Sequence, residues 1–149
     1  RRHRPGGMMT RPNAPHVTDI RVYYEDTDAG GIVYYANYLK FAERGRTEFL
    51  RDLGFGHRDL QASDGLGFVV RRCVVDYRKP AKLDDALSVE SDLLAVSGAR
   101  FEMAQRVLRN ATILCELTVT LGCVDGSGRP VRLPQSVRAA LDDWGLVPT

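Results

Sequence analysis

From Ala111 to Asp125 the chain alternates almost without a break. Ile113, Cys115, Leu117, Val119, Leu121 and Cys123 take every second position, with Glu116, Thr118, Thr120 and Gly122 between them. A period of two held this long predicts a strand with one covered face. Two more strand candidates precede it, Ala86 to Val96 and Ala99 to Arg109, with turns marked by Ser97-Gly98 and Asn110. Such a meander needs a cover for its apolar face. From about Asn37 to Leu53, the residues Tyr38, Phe41, Ala42, Gly45, Phe49 and Leu53 follow helical spacing and supply one. Gly45 inside that helix costs about 1 kcal/mol against Ala, which close packing of helix on sheet would explain. Arg44 and Glu48, four apart, are expected to pair on the outer side. Gly54 and Gly56 end the helix.

The remaining segments complete the order. Val17 to Tyr24 alternates, with Thr18, Ile20, Val22 and Tyr24 on one face, and predicts a first strand. Residues 57–67 read as a polar connection with one helical turn, holding His57. Phe68 to Arg78 is apolar on both parities, as in a strand covered on both sides, and Lys79-Pro80 breaks it. Asp125-Gly126-Ser127-Gly128 is a turn, and Pro134 opens a short helix from Gln135 to Leu141. The expected architecture is α+β, a long helix packed on a five-stranded antiparallel sheet. One domain is expected over residues 17–141, between a disordered basic tail (1–16) and a C-terminal tail (142–149).

Charge and composition narrow the function classes. The formal net charge is +2, and four arginines but no acid fall within residues 1–16, so the rest carries −2. The folded part is not basic, which argues against nucleic acid as a partner. No apolar run reaches the length of a membrane span. The three cysteines, Cys73, Cys115 and Cys123, lack metal-ligand spacing, and an odd count does not suit a disulfide framework. Cys115 and Cys123 read as small core residues. No metal site is expected, and a reducing cytoplasm fits. His3, His16 and His57 all lie away from the acidic stretch discussed next, so a Ser-His-Asp or Cys-His arrangement has no evident parts.

The chemistry concentrates between Tyr23 and Asn37, in YYEDTDAGGIVYYAN. Three carboxylates, Glu25, Asp26 and Asp28, come just before Gly30-Gly31. Ile32-Val33 and two tyrosines then lead into the helix. A carboxylate, a tight glycine loop and a helix N-terminus with free N–H donors suit a reaction in which charge builds up on a carbonyl oxygen. Read alone, Asp28 before Ala-Gly-Gly favours a turn-stabilising aspartate over a catalytic one. Capping preference puts Asn37 at the N-cap.

The segment Arg21 to Arg51, RVYYEDTDAGGIVYYANYLKFAERGRTEFLR, closely resembles the opening motif of hot-dog-fold acyl-CoA thioesterases of the 4-hydroxybenzoyl-CoA thioesterase type. The nearest branch is the bacterial one associated with the Tol-Pal envelope system. The resemblance continues more loosely through Phe68 to Asp85 and on to about Asp125. It implies the hot-dog fold, with the helix as sausage and the sheet as bun. It implies hydrolysis of acyl-CoA to free acid and CoA, with Asp28 as nucleophile or general base. It also implies that the backbone N–H of Tyr35 holds the thioester oxygen. Many relatives of that branch carry His where Tyr35 stands, so a mechanism needing that imidazole does not transfer.

Gly31, Val33, Tyr34 and Asn37 are expected around the substrate, with Tyr38 either lining the acyl pocket or lying in the core. Arg71, Arg72, Lys79 and Lys82 are candidates for pairing with CoA phosphates. Glu43 and Glu48 are noted because another hot-dog branch uses a helical glutamate. No cofactor is implied beyond the CoA of the substrate. A homodimer or homotetramer is expected, with acyl carrier protein or envelope-associated proteins as further partners. The competing reading is a non-catalytic module that binds acyl-CoA or acyl carrier protein in the same cleft.

Overall fold

A computed structural model describes residues 14–56, 58 and 65–147. Most of the expected basic tail, and His57 with most of its connection, fall outside these residues. Strand β1 (His16–Arg21) is followed by a single tight turn (Tyr24–Asp26) and helix α1 (Asn37–Asp52). Strands β2 (Gly67–Tyr77), β3 (Ala86–Ser97), β4 (Arg100–Arg109) and β5 (Thr112–Val124) follow, then helix α2 (Gln135–Trp144). All neighbouring strands are antiparallel, in the order β1-β3-β4-β5-β2. This is the expected α+β arrangement. Two-residue turns, Gly98-Ala99 and Asn110-Ala111, join β3 to β4 and β4 to β5.

Helix α1 lies across β1, β3 and β4 and buries Tyr38, Phe41, Ala42, Gly45, Arg46, Phe49 and Leu50. Gly45 is where the helix comes nearest the sheet. A Cβ placed there would stand 2.6 Å from Val89 Cγ1 and 3.2 Å from Gln105 Nε2. Beneath it runs a buried polar network. Gln105 Nε2 donates to Ala42 O (2.9 Å) and Ser91 Oγ (3.0 Å), and Gln105 Oε1 accepts from Arg46 Nη1 (3.1 Å). On β5 the inner row Cys115, Leu117, Val119, Leu121 and Cys123 is buried as the alternation predicts. Ile113 departs from it, because a register shift pairs Leu108 with Ile113 and Leu114 is buried instead.

Four expectations need correction. Strand β1 stops at Arg21 and Tyr24 is exposed, because Asp26 turns the chain: its Oδ2 accepts from Tyr23 N (2.8 Å). Strand β2 is not covered on both sides. It is an edge strand, and Val69, Val70, Val74 and Tyr77 are exposed, since α1 lies over the opposite half of the sheet. Glu48 pairs with Arg51 rather than Arg44, whose guanidinium sits 6.0 Å from the Phe41 ring centre. Helix α2 continues past Leu141 to a buried Trp144, and Val147 N donates to Leu93 O (2.9 Å), so the packed body extends beyond residue 141.

His16 falls within the expected tail yet begins β1 and is buried. Its Nε2 lies 2.7 Å from Asp52 Oδ2, and its ring packs on Phe49 and Trp144, tying β1, α1 and α2 together. A hydrogen bond to a charged group contributes about 1.5–3 kcal/mol. His16→Ala is therefore expected to lower the unfolding free energy by about 2 kcal/mol or more in urea titration. Val17→Ala, at an exposed neighbour, should change it by less than about 0.5 kcal/mol.

Candidate functional site

The segment from Thr27 to Val33 is a small loop closed on itself. Asp28 N donates to Ile32 O (2.9 Å) and Gly31 N donates to Asp28 O (3.0 Å). Gly31 has φ +80°, a left-handed conformation that glycine adopts without steric cost. Asp28 is exposed at the tip of this loop. Its Oδ1 accepts from Gly30 N (2.8 Å), and a Cβ on Gly30 would crowd that oxygen at 3.3 Å. Oδ2 has no hydrogen-bond partner among the described residues. One carboxylate oxygen is thus fixed by the backbone and the other is free.

Below the tip, Tyr34 N donates to Asp26 O (3.0 Å), and Asn37 Nδ2 donates to the same oxygen (2.9 Å). Asn37 is the first residue of α1 rather than its N-cap, which is Ala36, and its side chain ties the helix start back to the acidic turn. Asp26 is buried in that turn, whereas Glu25 is exposed. The amides of Tyr35 and Ala36 donate to no group among the described residues. They lie at the positive end of α1.

Beside this loop lies an open recess of about 230 Å³, lined by Ile32, Val33, Tyr35, Tyr38, Tyr77, Arg78, Lys79 and Pro80. It abuts the Asp28 loop, because Ile32 is the residue whose carbonyl Asp28 N holds. Three tyrosines frame it. Tyr77 packs edge-on against Tyr35 (5.9 Å between centroids) and Tyr38 (5.7 Å), and Tyr34 rests on Tyr35 (4.9 Å). Burial raises the Tyr77 and Tyr38 phenols, and in Tyr38 it outweighs the hydrogen bond from Ala81 N. The hydrogen bond to Tyr35 raises Tyr34. These rings stay neutral near pH 7 and offer apolar faces.

Of the residues singled out in the sequence, the structure brings Gly31, Val33, Tyr35 and Lys79 to this place along with Asp28. Val33 is largely buried and lines the recess floor. Tyr34 touches it through Tyr35, and Asn37 braces it from behind. Arg71 is elsewhere. It lies on the outer face of the sheet, its stem in the space left by Gly122, beside a recess of about 470 Å³ shared with Arg72 and Arg100. Six residue steps of extended strand, roughly 20 Å, separate it from Tyr77. Arg100 was not anticipated. Tyr77 was missed as well, although its parity with Cys73 and Val75 puts it on the inner face.

Other nucleophiles are poorly placed. Burial pushes the Cys115 thiol up to about 12 and also raises Cys73. Neither supplies a thiolate near pH 7. Among the described residues no cluster of His, Cys, Asp and Glu could hold a metal ion, and no helix is long and apolar enough to cross a membrane.

Comparison with known proteins agrees with this geometry. Residues 22–141 match the thioesterase-like superfamily. A protein of Haemophilus influenzae named acyl-CoA thioesterase YbgC is 50% identical over 122 residues, covering 81% of this chain and 90% of that one. Acyl-CoA thioester hydrolase YbgC of Escherichia coli O157:H7 is 43% identical, covering 80% and 90%. The crystal structure of a probable thioesterase from Bartonella henselae superposes with a TM-score of 0.78 at 40% identity, over 81% of this chain and all of that one. The chain therefore belongs to the thioesterase-like superfamily, has its hot-dog fold, and is a thioester hydrolase.

Proposed function

We propose that this enzyme hydrolyses acyl-CoA thioesters, with Asp28 as the reacting carboxylate. The observation that carries the proposal is the pairing of a half-anchored carboxylate with unpaired amides at a helix start, beside an apolar recess. The acyl group lies on the faces of Tyr35 and Tyr77, with the buried Tyr38 and Val33 beneath. The thioester oxygen accepts from Tyr35 N–H, which steadies the charge that develops there. Asp28 Oδ2 then either adds to the carbonyl carbon, expelling the CoA thiolate and leaving an anhydride for water to open, or takes a proton from the attacking water. Both routes consume one water and release free acid and CoA. Neither requires a metal or redox cofactor.

A single turnover in ¹⁸O-water separates the two: the label ends in the Asp28 carboxylate or the released acid according to which anhydride carbonyl water attacks, and only the nucleophilic route can label Asp28. A panel of acyl-CoA substrates with thiol detection tests the activity itself. Binding without turnover across the panel would favour the non-catalytic module.

The phosphate end of CoA has two candidate contacts, Lys79 at the recess rim and Arg71 with Arg72 on the outer face. Within one chain both cannot touch the same phosphate, and the recess favours Lys79. The odd count of three cysteines, with Cys73 exposed, supports a cytoplasmic site of action.

Assembly is part of the proposal. A long edge strand with exposed Val69, Val70, Val74 and Tyr77 is a pairing surface, and a second copy of β2 is its natural complement. The pairing would also close the open side of the recess, which Tyr77 lines. Light scattering is expected to give a dimer or tetramer. Val70→Glu with Val74→Glu should give a monomer with activity reduced at least tenfold, whereas Val17→Glu on the other edge should not. A fully active monomer from the double variant would count against the arrangement.

A further inference from the structure

The Asp28 loop lies along residues 80–85, a segment between β2 and β3 with no regular structure. Val33 N donates to Ala81 O (2.8 Å), Leu83 N donates to Gly31 O (3.2 Å), and Ile32 bridges to Lys82. The position of Asp28 therefore depends on this segment as well as on the bonds to Asp26 O described above.

Three charged side chains hold the segment: Arg21 Nη1 donates to Asp84 O (2.9 Å), and Arg109 and Asp85 pair across it. Asp85 Oδ2 accepts from Lys82 N (2.8 Å) and from Arg109 Nη1 (2.8 Å). Arg109, the last residue of β4, also reaches Pro80 O at 3.4 Å. One guanidinium thus spans both ends of the segment and anchors it to a central strand. Between them Asp84 is held at φ +70°, a conformation that is costly for a residue other than glycine and persists when its surroundings enforce it. Burial works to raise the Asp85 carboxyl, but the Lys82 amide and the Arg109 guanidinium outweigh it and hold it below the usual range, so this carboxyl is charged at neutral pH. Neither side chain lines the tyrosine recess.

We propose that Arg109 and Asp85 are positioning residues for catalysis, acting through the 80–85 segment to fix the loop that carries Asp28. The proposal rests on the reading of Asp28 as the reacting carboxylate. The pairing is geometric as well as electrostatic: one nitrogen, Nη1, faces both the Asp85 carboxylate and the Pro80 carbonyl, and the rigid planar group that holds it there differs in reach and shape from a lysine ammonium. Displacement of a reacting group by about 1 Å can cost on the order of 100-fold in rate.

The test uses Arg109→Lys and Asp85→Asn in the full chain, with Asp28→Asn alongside. Expected results are a fall in kcat of about 10- to 100-fold and a KM that stays within about threefold. Amide exchange should quicken about tenfold at Val33 and Leu83, with α1 and the β4–β5 ladder unchanged. Unchanged kcat and exchange in both variants would overturn the proposal. So would faster exchange across the whole sheet, which marks general destabilisation. If Arg109→Lys fails to fold, the milder Asp85→Asn decides alone. If Asp28→Asn keeps full activity, the catalytic reading fails, while the exchange pattern still reports whether the clamp exists.

Discussion

Asp28→Asn is expected to reduce kcat by about 10²–10⁴-fold while leaving acyl-CoA affinity nearly unchanged. Asn retains the shape of the side chain, and its Oδ1 can still accept from Gly30 N, so the loop should keep its fold. What disappears is the free, charged Oδ2. The amide has no carboxylate oxygen to attack a thioester and no basic site to take a proton from water. The amides at the start of α1 belong to the backbone and remain, so residual turnover should still exceed the uncatalysed rate. A single donor of this kind is worth about 10²–10³-fold where it has been removed. Glu25→Gln is the matched control, because Glu25 is exposed three residues away. Asp26 would be a poor control: its carboxylate is buried and holds Tyr23 N, so changing it alters the turn itself. Comparable, mild losses at positions 25 and 28 in stopped-flow assays would remove Asp28 from the reaction.

The largest effect on stability is expected at Gly45. On intrinsic propensity alone, Gly45→Ala should stabilise α1 by about 1 kcal/mol. The added methyl would stand 2.6 Å from Val89 Cγ1, well inside van der Waals contact, and 3.2 Å from the amide of Gln105. Val89 is fully buried and β-branched, with little freedom to turn away. Overpacking of this kind costs about 1–3 kcal/mol, and any shift of Gln105 strains its bonds to Ala42 and Ser91 at about 1 kcal/mol each. The sign therefore reverses: Gly45→Ala should lose about 2–4 kcal/mol net, and a larger residue such as Leu considerably more. Val89→Ala in the Gly45→Ala background should recover part of the loss, giving a coupling readable in a double-mutant cycle. A more stable Gly45→Ala protein would mean that the helix can lift off the sheet without penalty.

The order of elements was legible because each carries its own period. The β5 row from Cys115 to Cys123 and the α1 face from Tyr38 to Phe49 show one buried side each, and a buried side leaves a repeating mark. Strand β2 leaves a misleading mark. Residues apolar on both parities read the same whether the chain's own elements cover them or they await another copy. The turn at Asp26 was hidden because β1 and the residues after it share one alternation, and a single side-chain-to-backbone bond decides where the strand stops. The acidic glycine loop was legible as a unit, since its parts are neighbours in sequence. Arg71 and Lys79 line separate recesses of the chain for the opposite reason. Eight positions look close in sequence, yet along an extended strand they lie far apart and on different surfaces. The contact of Arg109 with Asp85 depends on the register of β4 on β3, to which no local pattern points.

The short Gly98-Ala99 and Asn110-Ala111 turns have a consequence for how the chain finds its fold. They let β3, β4 and β5 zip together by local closure, which costs little chain entropy. Strand β2 is different. It precedes β3 in the chain but must pair beyond β4 with β5, so its partners lie from 38 residues away (Tyr77 with Cys115) to 57 (Gly67 with Val124). Non-local closures of this kind slow folding. The strand whose edge is left free is thus placed only by a non-local closure, as is β1, whose partners lie 65 (Arg21 with Ala86) to 75 (His16 with Ser91) residues away, and the proposed subunit pairing would draw on a surface that exists only once the β2 closure has been made.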